Sequence, residues 1–482
     1  MLSFQISTDE LNHSWSQGIG SIQPAVALEF AVSRVSVSSI AYYAGMIFGA
    51  SFWGISCDFT GRKFAFNMTI LIGAIFGCIV GGMDNFGAFC FLWSIIGTAA
   101  GGNVPVDSMI FLEFVPGSHQ YLVTALSAWW NLGQVIVSLV SWVFLANFSC
   151  PTNAEICRKA DNMGWRYVMI TLGALALTFA LIRILVFKMP ESPRFLLAKG
   201  RDAEAVEAVN YVARCNKVPE PLTLAMLQEV DTQLGMVTHL EERQTTKLSH
   251  TQILKDNVRD FKPMNYKVLF QTRKLGQQTA ILWFIWLTIG KHSQMTVGDT
   301  KLIYHLLLVG IAYPLFFNFL PTYLAQRFPS GGSLEATYKT YVIVSAVGVI
   351  GPISASLLVR TRLGRRWSMG ISAIITGAFL FGYTAANTRS MDLAFNCLSS
   401  LLANFMYAIM YAITPESFPG PHRGLGTGQA ATNLRFGSLV ASLIGTYTGF
   451  SVVPIYVSAA MWVLVGVITF GLPFETAGHS AI

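Results

Sequence analysis

Gly54-Ile55-Ser56-Cys57-Asp58-Phe59-Thr60-Gly61-Arg62-Lys63 joins two long apolar runs through a short basic turn. A second turn of this kind, Gly364-Arg365-Arg366, lies in the other half of the chain, and 364 − 61 = 303. Another landmark keeps the spacing. Glu113-Phe114-Val115-Pro116-Gly117-Ser118-His119 matches Glu416-Ser417-Phe418-Pro419-Gly420-Pro421-His422, and 416 − 113 = 303 again. Two unrelated landmarks at one offset argue for an internal duplication of several helices. In a membrane chain such repeats mark secondary transporters, whose solute path lies between the repeats.

Composition supports the membrane reading. Of 482 residues, 53% are hydrophobic and 12% charged, against about 25% charged in a soluble domain. Mean hydropathy is +0.52. The net charge of +7 comes from Lys and Arg in short loops between apolar runs. That placement follows the positive-inside rule and argues against a nucleic-acid partner. Cys57, Cys78, Cys90 and Cys397 lie in or beside apolar runs and read as small buried hydrophobes. Cys150 and Cys157 share one polar loop and form the one candidate disulfide pair. No Cys or His spacing suits a metal, and no nucleophile, acid and base cluster or nucleotide loop appears. The sequence therefore predicts no cofactor and no enzyme. Residues 1–14 are polar and lack the apolar core of a signal peptide.

A spanning helix needs roughly 20 apolar residues. Five runs before residue 188 and six after 301 meet this. Residues 15–30 are a short twelfth, interrupted by Gln17, Gln23, Pro24 and Glu29. The predicted fold is all-α and polytopic: two pseudo-symmetric six-helix bundles with the first helix truncated. The expected units are 1–30 (N-terminus and truncated helix), 31–188 (first bundle), 189–278 (cytoplasmic loop), 279–473 (second bundle) and 474–482 (a short tail). Within the loop, Ala205, Val206, Val209 and Val212 predict a short amphipathic helix over 201–215. Lys and Arg place the signature turns in the cytoplasm and the 148–164 loop outside, although Arg158, Lys159 and Arg166 weaken the contrast. Outside, a Cys150–Cys157 bond can persist.

At these residues the chain resembles the major facilitator superfamily. The first turn matches that family's G-x-x-x-D-x-x-G-R-K signature, a latch on the cytoplasmic gate. In the second copy Leu357 replaces the first glycine and Thr361 the aspartate. Pro190-Glu191-Ser192-Pro193-Arg194 resembles the P-E-S-P-R segment of sugar porters and organic-ion transporters. Arg423-Gly424-x-Gly426-x-Gly428 and Pro473-Phe474-Glu475-Thr476 resemble later motifs of the same branch, closest to its fungal members. The resemblance implies a gating set of Gly54, Asp58, Gly61, Arg62, Lys63, Glu113, Arg194, Gly364, Arg365, Glu416 and Arg423.

Polar groups inside spans are costly and serve as functional candidates. Asn103 and Asp107 lie in the fourth span, Asn131 and Gln134 in the fifth, Asn318 after Pro314, and Arg435 midway along the eleventh. Asp107 and Arg435 either face a solute or proton path or pair with each other. Asn131, Gln134 and Asn318 bond a solute or neighbouring helices. Trp129, Trp130, Tyr313 and Tyr323 read as packing or interface anchors.

The function predicted is alternating-access transport of a small organic solute, a sugar, organic ion or metabolite, coupled to protons. The carrier is expected as a monomer in the plasma membrane, with solute, proton and lipid as its partners. The rivals are a non-transporting nutrient receptor of the same fold, against which the nine-residue tail argues, and a defective gene product. Two oddities feed the last reading: the short first span, and residues 291–310, which interrupt the seventh span between 279–290 and Ile311-Ala312-Tyr313-Pro314. They predict a missing first exon and a translated intron. Sequencing the spliced transcript checks this, and a message that still encodes 291–310 contradicts the intron.

Overall fold

A backbone in lipid has no water to bond, so its N–H and C=O groups must be satisfied within helices. The computed structural model obeys this: its described residues hold helices and turns and no strand. These are residues 15–60, 62–114, 122–151, 157–186, 190–198, 200–233, 269–287, 312–317, 320, 334–359, 361, 363–418, 423–448, 452–473 and 475. Residues 1–14 and 291–310, where the sequence suggests a truncation and an insertion, lie outside them.

The first half contains α1 (Trp15–Phe30), α2 (Val37–Thr60), α3 (Arg62–Val80), α4 (Phe86–Phe114), α5 (Leu122–Phe148) and α6 (Gly164–Leu185). Three short helices follow: α7 (Pro193–Ala198), α8 (Asp202–Cys215) and α9 (Leu224–Gln233). The second half holds α10 (Arg273–Leu287), α11 (Ala312–Phe316), α12 (Leu334–Gly348), α13 (Ile350–Leu358), α14 (Gly364–Thr384), α15 (Arg389–Glu416), α16 (Arg423–Thr448) and α17 (Val452–Thr469). A turn at Val349 divides α12 from α13, which together make one span. Helix α8 starts within one residue of the predicted amphipathic segment. Its first turn carries Asp202 and Glu204 and its last Arg214, matching the helix dipole.

The duplication reappears in the packing. In each half the third helix lies against the sixth, α3 on α6 and α14 on α17. The second lies against the fourth, α2 on α4 and α12–α13 on α15. Across the middle, α5 packs on α12–α13 and α2 on α16, so fifth meets second in both directions. Without a hydrophobic drive between helices in lipid, close backbone approach carries the association. The α2–α4 contact depends on it: a Cβ on Gly97 would fall on the carbonyl oxygen of Tyr42.

Helix α1 keeps the 16-residue length that makes it short for a span. Its polar residues serve internal contacts. Gln23 is 1% exposed and donates to Ser39 Oγ at 2.7 Å. Gln17 accepts from the Tyr341 hydroxyl at 2.8 Å, and the Ser21 carbonyl accepts from Tyr338 at 2.8 Å. Both bonds tie α1 to α12 in the other half. Glu29 accepts from Arg166 Nη1 at 2.7 Å and Trp165 Nε1 at 2.8 Å.

Arg166 also donates to Asp84 at 3.1 Å and to the Met83 carbonyl at 3.0 Å. It is 2% exposed, so it is a neutralised structural residue and no longer blurs the loop-charge contrast. Lys159 bonds Asp84 at 2.5 Å. That bond, with help from Arg166, holds the Asp84 carboxyl below the ordinary carboxylate range. At this same end Cys150 and Cys157 are joined in a disulfide, their Cα atoms 6.0 Å apart.

Replacing Gly97 by Val should destabilise the protein by roughly 1–3 kcal/mol through overpacking. Gly428→Ala, where no heavy atom lies within 4 Å of the added carbon, should be neutral. Thermal unfolding of the detergent-purified variants compares the two.

Candidate functional site

A cavity opens between the halves, where helices from both repeats face one another. Tyr42, Tyr43 and Met46 of α2 and Trp130 and Asn131 of α5 form one wall. Tyr313 and Pro314 of α11, Asn404, Tyr407 and Tyr411 of α15 and Arg435 of α16 form the other. The space is about 70 Å³, room for about five to seven waters at roughly 10–15 Å³ each, or one small ring.

The aromatic walls are interlocked edge to face. Trp130 lies 5.2 Å from Tyr411 and 6.4 Å from Tyr407, centroid to centroid, so the two halves touch through rings. Tyr313 meets Tyr407 at 5.0 Å. Gln134 donates to the Tyr313 hydroxyl at 3.0 Å, a further bond between halves.

Arg435 differs from every other wall residue. It is the single charged one among the described lining. It is 2% exposed, and its Nε, Nη1 and Nη2 have no hydrogen-bond partner among the described residues. Two further wall groups, the Tyr42 hydroxyl and Asn131 Oδ1, also lack partners there. The Asn131 amide nitrogen is spent on the Ser127 carbonyl at 3.1 Å. The cavity thus presents a guanidinium, a hydroxyl and an amide oxygen among apolar rings. It has the chemistry to bind and orient a solute and lacks a described acid–base pair for a reaction.

At the opposite end from the disulfide, each half repeats one device. The amides at a helix start lack partners within the helix. Glu191, after α6, accepts from the Lys63 backbone N–H at 3.3 and 3.2 Å, covering the start of α3. Glu475, after α17, accepts from the backbone N–H groups of Arg365 at 3.0 Å and Arg366 at 3.1 Å, covering the start of α14. Gly364 has φ +64°, which suits glycine, and a Cβ there would come within 2.8 Å of the Glu475 carboxylate. Arg365 forms a buried ion pair with Glu416.

The structure therefore brings Asn131 and Arg435 to one cavity, with Gln134 one contact behind it. It also joins Gly364, Arg365 and Glu416 in one cluster, with Lys63 at the equivalent place in the first half. Gly54, Asp58, Arg62, Asn103, Asp107, Glu113, Arg194 and Arg423 are described in backbone only, within α2, α3, α4, α7 and α16. Gly61, Asn318 and Tyr323 lie outside the described residues. Sequence reasoning missed Tyr42, Tyr43, Tyr407 and Tyr411. The one available signal was Asn404-x-x-Tyr407-x-x-x-Tyr411, a polar stripe at helical spacing.

The sequence profile of the Major Facilitator Superfamily matches residues 14–362. The chain is 59% identical over 475 residues to the "Major facilitator-type transporter hxnZ" of Emericella nidulans, covering 97% of this chain and 82% of that one. This chain belongs to the major facilitator superfamily. It is an integral, multi-pass membrane transporter of a small solute, and its relatives are transporters rather than enzymes. The superfamily relatives also include "MFS siderochrome iron transporter 1" of Ceriporiopsis subvermispora (40% identity, 92% of this chain and 81% of that one). The "Niacin transporter NiaP" of Acinetobacter baylyi is more distant (25%, 84% and 76%). The fold matches the proton:xylose symporter XylE with TM-score 0.66 at 15% identity, over 100% of this chain and 97% of that one.

Glu416→Ala, which leaves the buried Arg365 charge without its partner, should cost roughly 3–5 kcal/mol. The Arg365→Met, Glu416→Met double variant should recover most of that loss in the same unfolding assay.

Proposed function

We propose that this carrier moves a small organic anion, and that the solute carboxylate binds Arg435. The observation that carries the reading is a buried guanidinium without a hydrogen-bond partner among the described residues. Burying an unpaired charge costs several kcal/mol, a cost that a carboxylate ligand offsets through two parallel hydrogen bonds. The Tyr42 hydroxyl can donate a further bond. Trp130, Tyr313 and Tyr407 suit the faces and edges of a flat ring. The small cavity favours a single-ring acid. The niacin transporter's named solute, an aromatic carboxylic acid, is of this class.

The two bundles would rock about the cavity. The tie of α1 to α12 through Gln17–Tyr341 and Ser21–Tyr338 closes one side. The signature turns, with Asp58, Arg62, Glu113, Arg194 and Arg423, would close the other. The monomer is the working unit, because one chain supplies both cavity walls. We place the chain in the plasma membrane, where the Cys150–Cys157 bond would face an oxidising compartment.

A second reading, proton coupling, rests on Asp107, an acid inside α4. Uptake that follows an imposed pH gradient and loses that dependence in Asp107→Asn supports it.

Uptake of nicotinate, benzoate, nicotinamide, xylose and a ferric siderophore by cells expressing the full chain tests the main reading. The acids should be preferred over the amide and the sugar. Arg435→Gln should lose about 2–5 kcal/mol of carboxylate binding, roughly 30-fold or more in apparent affinity. Equal uptake of acid and amide, or unaltered affinity in Arg435→Gln, contradicts it.

A further inference from the structure

We infer that this carrier is an anion exchanger: an anion on Arg435 must accompany each reorientation, so exchange outruns net flux. The inference rests on the reading of Arg435 as the anion site. While the cavity is open, water screens the guanidinium. When the halves close over it, that water is excluded and the charge must be matched from within the protein or by the cargo.

The described protein offers no match. Every described wall residue other than Arg435 is uncharged. The buried carboxylates described elsewhere are committed. Glu29 is held by Arg166 and Glu416 by Arg365. Asp392 accepts from Asn396 at 3.2 Å, and it precedes the wall residue Asn404 by 404 − 392 = 12 residues, about 18 Å along α15. With the described groups alone, the loaded cavity is close to neutral in its occluded state, and the empty one carries an unmatched positive charge. The empty carrier faces the higher barrier. A solute waiting on the far side removes that barrier by loading the site before the return.

The test uses the full chain in liposomes loaded with labelled nicotinate, with the membrane potential clamped by potassium and valinomycin. The external buffer contains only bulky sulfonate anions. Exit should be at least about tenfold faster when saturating unlabelled nicotinate is added outside. Equal exit rates with and without external nicotinate overturn the exchanger while leaving the anion site intact. Nicotinamide carried as well as nicotinate overturns the anion site itself. Failure to carry either compound overturns both. Acceleration seen in Asp107→Asn but absent from the unaltered chain also overturns the exchanger, because Asp107 then supplies the counter-charge in the empty carrier.

Discussion

A charge in the bilayer core has no solvent, so each one needs a partner in the protein or in the cargo. The arrangement of this chain depends on that constraint. Arg166 is neutralised by Glu29 and Asp84 at one end of the first bundle. Arg365 is neutralised by Glu416 at the other end of the second. The first pair joins α1 to α6, and the second joins α14 to α15. Arg435 is placed differently. It lines the cavity between the bundles, and its guanidinium has no hydrogen-bond partner among the described residues.

The seam itself follows from duplication. Because the second helix of each half packs against the fifth of the other, two equivalent contacts flank the cavity. The proposed rocking of one bundle on the other would use both contacts together. Hydrogen bonds that cross the seam among the described residues include Gln17 with Tyr341, Ser21 with Tyr338 and Gln134 with Tyr313. Tyr313 lines the cavity as well as bonding Gln134, so one cavity wall also helps hold the halves together. The carboxylates of Glu191 and Glu475 cap α3 and α14 at equivalent places in the two halves.

Much of this was legible in the residues. The 303-residue offset predicts which helices correspond, and the repeated packing pairs carry that correspondence into space. Arg435, Asn131 and Gln134 stand out because polar groups in apolar runs are costly. The tyrosines did not stand out. A tyrosine in a span reads equally well as an interface anchor, and the sequence does not reveal how each helix is rotated about its axis. Trp129 and Trp130 illustrate this: adjacent in sequence, one is exposed on the outer face and the other sits in the cavity. The role of the polar residues of α1 was hidden for the opposite reason. Gln17, Gln23 and Glu29 look like interruptions when taken alone. Their partners Tyr341, Ser39 and Arg166 lie 324, 16 and 137 residues away. Glu475 was visible as part of a terminal motif, but its bonds to the backbone of Arg365 and Arg366 exist only in the folded chain.

The central claim is that Arg435, which has no hydrogen-bond partner among the described residues, takes the cargo as its partner. An experimental structure of the full chain with nicotinate tests it most directly. The account predicts the solute carboxylate within about 3 Å of the Arg435 guanidinium, with the ring held between Trp130 and the α15 tyrosines. A carboxylate bound elsewhere, or an Arg435 side chain paired with Asp107 beside the bound solute, would contradict it.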